Sequence, residues 1–491
     1  MELAELSAVT LARMLRTREV SAAEVLAAHL DRIERRNPAL NAVVTLVAER
    51  AGAAAAAADK AAADGEFLGP LHGLPIAIKD NADTAGIRTT YGSPLMADHV
   101  PERDSAYVAS LKRAGAIVIG KTNTPEFAAG SQTFNPIFGV TRNPYDLSRT
   151  PGGSSGGAAA AVAARLVPFG DGSDLAASVR NPAAFCNVVG LRTTPGLVPL
   201  DDADDPFDPL SVVGPIARTP ADAALLLAGM CGRDSARPLA RPDRPGDFLD
   251  LRPVDPRGLR VAWSTDLGGL AVEPAVTEVL AGARAALAAM GCEVVDAEPE
   301  LTAADEVFQV LRALNMVRLA HLPRERLKDT LAWNIEKGLA LGAAEIAAAR
   351  SERTRIINRM RAFLSGARAR AGTRPGAGAG AGAGAGDGAG GGFDLLALPT
   401  AQVVPFPVER EWVTEIAGEP QRTYIDWMRT CSRITVTAHP AVSVPAGFTP
   451  GGLPVGLQLV APYGADGWLL RVAQAFTEAT GHTEARPRED V

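Results

Sequence analysis

The chain has 491 residues, 47% hydrophobic and 21% charged, the profile of a globular enzyme able to bury a large core. A net charge of −7 with no basic block argues against a nucleic-acid surface, and no apolar run approaches the ~18 residues of a membrane span. Cys186, Cys231, Cys292 and Cys431 are scattered without CxxC or metal-ligand spacing, and the amphipathic, early-acidic N-terminus is no signal peptide; a reduced, cytoplasmic chain without metal is expected.

In chain order, Ser21 to Glu24 is a capping box. Val25, Leu26, His29, Leu30 and Ile33 follow on one helical face, and Asn37-Pro38 should end that helix. Ala51 to Ala63 reads as an Ala-rich helix. "GLPIAIKDN" (73–81) is a short apolar run between turn signals, hence a buried strand. Residues 105–115 and 116–123 read as helix, Gly stop and β-branched strand, and Ala158 to Leu166 as a helix. Further strands are expected at 260–265, 292–298 and 394–400, with helical runs at 274–290 and 302–320. This alternation predicts an α/β fold: a large, mixed, mostly parallel sheet covered by helices on both faces, in one domain spanning 1–491. The Gly/Ala-rich stretch 375–392 is too glycine-rich to fold alone and reads as a disordered insertion within that domain.

Two stretches carry chemistry. "TPGGSSGGAAAAVAARL" (150–166) is a Gly-rich turn feeding a helix, yet it lacks the lysine of a GxxxxGK[ST] phosphate loop and the spacing of GxGxxG. Its serines therefore matter as hydroxyls, if they matter. Of the six histidines, His29 sits on an apolar helix face and His482 in a polar tail. A serine enzyme here needs another base. Lysine is scarce, occurring only at 60, 79, 112, 121, 328 and 337. Lys79 ends an apolar strand, where lost hydration would lower its pKa and free the amine as a base; a strand-end lysine can equally reach solvent or pair with Asp80. Ser178, in "DGSDLAASVRNPAAFCNVVGLR" (171–192), lies among small residues that let a substrate approach the backbone.

Taken together, "GPLHGLPIAIKDN" (69–81), "AIVIGKTNTPEFAAG" (116–130), "TPGGSSGGAAAAVAA" (150–164), "SVRNPAAFCNVVGLR" (178–192), "GPIARTPADAALLL" (214–227) and "SVPAGFTPGGLPVGLQLV" (443–460) resemble the amidase signature family, in order, over roughly residues 5 to 480. The resemblance implies a helix-sandwiched mixed sheet and a Ser-cisSer-Lys triad. Lys79 would be the base, Ser154 the bridging serine after a cis peptide, and Ser178 the nucleophile that forms an acyl-enzyme. The family's D-T-G-G-S, whose amides form the oxyanion hole, reads here Asp174-Leu175-Ala176-Ala177-Ser178. Alanine tolerates positive φ poorly, so a hole built on Leu175, Ala176, Ala177 and Ser178 requires negative φ. Asp174 and Arg180 read as structural hydrogen-bonding groups.

The implied function is hydrolysis of an uncharged, apolar or aryl amide. The competing functions are ester or carbamate hydrolysis by the same chemistry, a glutamyl-tRNA amidotransferase A-like component, and a silent binding protein. No cofactor, nucleic acid or membrane is expected. A small-molecule amide is the partner, with a homodimer as the oligomeric option. Phe134, Phe138, Trp333, Trp412 and Trp427 are candidates for an apolar pocket, although each reads more readily as plain core.

Overall fold

The structure, a computed structural model, describes residues 2–200, 210–232, 239–241, 243, 245–250, 252–366 and 392–488. The Gly/Ala-rich stretch therefore lies outside the described residues, apart from Gly392.

Local signals shape the N-terminal helices. The capping box forms on both sides, Ser21 Oγ accepting from the Glu24 amide and Glu24 accepting from the Ser21 amide. The helix runs Ala22–Leu40, past the expected stop at Asn37-Pro38. Pro38 forfeits the hydrogen bond to the Glu34 carbonyl, but only two helical residues follow it, so the last turn is completed before the chain leaves the helix. The true stop is Asn41, left-handed at φ 52°, while the Asn37 side chain accepts the amides of Ala42 and Val43, both at 2.9 Å.

The strands, in chain order, are β1 (Val43–Leu46), β2 (Pro75–Lys79), β3 (Ile117–Thr122), the small hairpin β4 (Phe134–Asn135) and β5 (Gly139–Val140), β6 (Phe169–Asp174), β7 (Val189–Arg192) and β8 (Val212–Ala217). Then come β9 (Arg260–Trp263), β10 (Glu293–Asp296), β11 (Leu395–Pro399), a second hairpin of β12 (Glu415–Ile416) and β13 (Glu419–Pro420), β14 (Ala441–Phe448) and β15 (Pro454–Val460). Eight of them form one sheet in the order β10-β9-β11-β15-β14-β7-β8-β6, and β1-β3-β2 form a second.

The large sheet is mixed and helix-covered as expected, but it is not mostly parallel. Only β9 with β10 and β9 with β11 pair in parallel. The other five pairings are antiparallel. Apolar runs carry no direction; the connections do. The helix Pro274–Ala289 crosses from β9 back to a parallel β10, whereas β14 turns directly into β15 and must run against it.

Both faces of the sheet are buried, and β11 shows how. Leu395 and Ala397 enter one core cluster while Leu396 and Leu398 enter the other, the two-residue alternation of a strand covered on both sides. On the first face lie Pro274–Ala289, Pro220–Met230 and Asp466–Thr480. On the second lie Ala304–Met316, Ala343–Phe363 and Arg429–Val436. The helix Gly156–Ala163 is buried at every position, which accounts for its uniform Gly, Ala and Val composition.

That helix can lie so close because Gly157 has no side chain. A Cβ there would collide with the main chain of Asn123 and stand 2.9 Å from the Ala42 carbonyl oxygen. Gly157→Ala should therefore destabilise the protein by ~1–3 kcal/mol despite the better helix propensity of alanine, because backbone cannot rotate away. Urea unfolding measures this, and an unchanged or raised midpoint would contradict the close approach.

Candidate active site

Lys79 ends β2, and the segments flanking the helix Gly156–Ala163 and β6 converge on its amine. Its side chain is completely buried. The Nζ atom lies 2.7 Å from Ser154 Oγ, 2.8 Å from Ser155 Oγ and 3.0 Å from Ser173 Oγ. The peptide between Gly153 and Ser154 is cis, as the resemblance implies. Burial lowers the Lys79 pKa from 10.5 to about 7, against the opposing charges of Asp171 and Asp174. Asp80 does not pair with it. Its carboxylate accepts from the Thr90 amide at 3.1 Å and from Thr90 Oγ1 at 2.5 Å.

The Gly-rich motif makes this meeting possible. A Cβ at Gly172 would stand 2.7 Å from Ser155 Oγ, so only glycine lets β6 pass beside that hydroxyl. Thr133 Oγ1 donates to the Gly152 carbonyl oxygen at 2.8 Å and Ser131 Oγ to that of Gly153 at 2.7 Å, which pins the turn from the 131–133 segment.

Ser178 lies in the turn after β6, 8% exposed, and its carbonyl oxygen accepts the Ser155 amide at 3.1 Å. Among the described residues no hydrogen bond joins Ser178 Oγ to Ser154 Oγ. The structure thus brings Lys79 and Ser154 into contact and sets Ser178 on the adjoining segment. Leu175, Ala176, Ala177 and Ser178 are all absent from the residues with positive φ, so the alanines fit this turn without left-handed backbone. Among the described residues none of these four amides donates to a protein acceptor. Unpaired amides in a mostly buried turn are unusual and suit an oxygen ligand.

Beneath the turn, Asp174 and Arg180 are fully buried and joined through two hydrogen bonds of 2.9 and 3.0 Å. Arg192 approaches Asp174 at 3.3 Å. Burial alone would raise the Asp174 pKa, but the charges of Arg180 and Arg192 hold it at about 2. Arg180 also reaches Ala176, Cys431, Thr435 and Gln458, a structural tie across the sheet.

Histidine takes no part in these contacts. His29 and His439 are buried, with pKa values lowered by desolvation to about 3 and about 4. Of the aromatic candidates, Trp427 is fully buried and stacked on Phe185, a core residue rather than pocket lining. Trp412 packs on the second core, Trp333 lies edge-on to Tyr424, and Phe134 and Phe138 sit under Lys328 and Arg88.

Sequence reasoning missed Ser155 and Ser173 as partners of the amine. It also missed Lys121, which ends an apolar run just as Lys79 does. Lys121 is buried, donates to Ala82 O, Thr84 and Thr89, and has its pKa lowered by burial to about 8. Among the described residues no cluster of metal-ligating side chains occurs.

The amidase family profile matches residues 24–470. The A component of glutamyl-tRNA(Gln) amidotransferase from Moorella thermoacetica is 36% identical, covering 99% of both chains. An acylamidase of Rhodococcus erythropolis is 34% identical over 99% of this chain and 98% of its own. The crystal structure of a bacterial aryl acylamidase superposes with a TM-score of 0.85 at 27% identity, covering 98% of each chain. By fold and sequence alike, the chain belongs to the amidase signature family.

Proposed function

We propose that the protein hydrolyses an uncharged, apolar or aryl carboxylic amide through an acyl-enzyme on Ser178, with Ser154 as proton bridge and Lys79 as base. One observation carries this reading: a fully buried Lys79 amine 2.7 Å from the hydroxyl of Ser154. A neutral amine has two N–H donors and one lone pair. Donation to Ser155 and Ser173 leaves the lone pair for the nearest hydroxyl, that of Ser154.

The proton then moves in sequence. Lys79 takes the Ser154 proton and Ser154 takes that of Ser178, while Ser178 Oγ bonds to the substrate carbonyl carbon. Ser154 returns a proton to the leaving nitrogen as the C–N bond breaks, and Lys79 restores it. The amine departs at that step, and water then cleaves the Ser178 ester, giving the acid and restoring the Ser178 hydroxyl. The Ser154–Ser178 contact belongs to the substrate complex, since catalytic hydrogen bonds commonly tighten only there. The unpaired amides of residues 175–178 would receive the oxyanion.

Apolar specificity is supported next to the turn. Half-buried Leu175 packs with Leu95, Phe127, Leu319 and Leu322 around the small core of Ala129, Met316, Leu327, Leu331 and Ile335. The second reading, an amidotransferase component that releases ammonia from glutamine, is favoured by the Moorella relative. The Leu175-Ala176-Ala177 departure weighs against it. Ammonia release from glutamine with and without partner proteins separates the two, and a panel of anilides, alkyl amides, esters and carbamates identifies the substrate.

Ser178→Ala should abolish turnover and labelling by a fluorophosphonate, whereas Ser154→Ala and Lys79→Ala leave traces, with losses of several orders of magnitude. Retained wild-type labelling in Ser178→Ala would refute the assignment.

The pH dependence follows from the base. Lys79 must be neutral, so kcat/KM should rise as pH increases through about 7 and level off on the alkaline side. His72→Ala and His439→Ala should keep that profile. Loss of the acid limb in either variant would replace lysine with histidine as the base.

A further inference from the structure

Asp171 lies on β6, where the large sheet meets the small one across β2. Its side chain is fully buried. Oδ1 accepts the main-chain N–H of Lys79 at 2.9 Å, and Oδ2 accepts the phenol of Tyr107, from the helix Ala106–Arg113, at 2.7 Å. A side-chain carboxylate thus takes the place of a strand carbonyl at the seam between the two sheets, on the residue that carries the base.

We infer that Asp171, held by Tyr107, is a positioning residue for Lys79, fixing where the amine stands and how tightly it holds a proton. This inference rests on the function proposed above.

The surrounding charges single out Asp171. Asp174 also faces the lysine, but two guanidiniums, Arg180 and Arg192, offset its charge. Asp80, at the end of β2, is turned onto Thr90. From β3, Lys121 is spent on Ala82, Thr84 and Thr89, although its charge also acts on Asp171. No guanidinium or ammonium bonds to the Asp171 carboxylate; among the described residues its donors are an amide and a phenol. Its charge opposes the desolvation of Lys79 more than that of Asp174 does. Full desolvation by itself would leave the amine a weak base; a nearby carboxylate restores part of its strength.

Asp171→Asn keeps an acceptor for the Lys79 amide and removes the charge. The measurement is the kcat/KM profile on a neutral anilide, alongside fluorophosphonate labelling. The acid limb should move down by about one pH unit, with labelling still at Ser178. A limb at the wild-type pH with a lower plateau would show a purely structural role and overturn the inference. If Asp171→Asn fails to fold, Tyr107→Phe decides. Without the phenol the buried carboxyl keeps its proton to higher pH, so the limb should move the same way by less, and an unmoved limb overturns the inference. Labelling of wild-type enzyme elsewhere than Ser178 would instead bring down the proposed function.

Discussion

A lysine amine sealed from water among three serine hydroxyls is the constraint around which this fold is arranged. Desolvation makes the charged form of Lys79 unfavourable, and only a dense, polar, glycine-lined surround can hold the neutral form in one orientation. The requirement reaches outward. Gly172 clears room for Ser155, Gly157 lets the buried helix approach β3, and the 131–133 segment pins the turn. Chemistry and stability are linked through one proton. The folded Lys79 releases its proton near pH 7, while the unfolded chain keeps it to about 10.5. Between those values the unfolded state binds more protons, so this group adds stability as pH rises across the window. The neutral amine that the proposed mechanism needs as its base is also the form that the buried site tolerates.

Much of this is legible in the chain. The capping box at Ser21 and Glu24, the buried strand Pro75–Lys79 and the Gly-Ser turn before an alanine helix are local patterns, and local patterns survive folding. Lys79 stands out because lysine is rare here and this one closes an apolar run. The same signal stands at "AIVIGKTN", where Lys121 also closes an apolar run, but sequence reasoning leaves it unused. Strand direction is not legible, because an apolar run reads the same in a parallel or antiparallel pair. The turn that joins β14 to β15 decides it. The helix continues past Pro38 for a related reason: proline forbids an upstream hydrogen bond, not the remaining residues of a last turn.

Partners distant in sequence are the least visible. Nothing near Lys79 announces Tyr107, Asp171 or Ser173; they meet only once β2 is laid beside β6. Trp427, whose size alone favours the core over a pocket wall, is indeed core, fully buried and stacked on Phe185.

The two buried arginines have an effect that goes beyond pairing with Asp174. Arg192 donates to the Asp174 carbonyl oxygen at 2.5 Å, and Arg180 to the Ala176 carbonyl oxygen at 2.7 Å. Those carbonyls belong to the peptide groups whose N–H bonds are those of Leu175 and Ala177. A cation pulling on one end of an amide withdraws electrons from its other end, which strengthens the N–H as a donor. With one carboxylate between two guanidiniums, the cluster also keeps a net positive charge under the turn. In the proposed mechanism, an oxygen that gains negative charge there would meet polarised amides backed by a buried cation, both set in place before any ligand arrives.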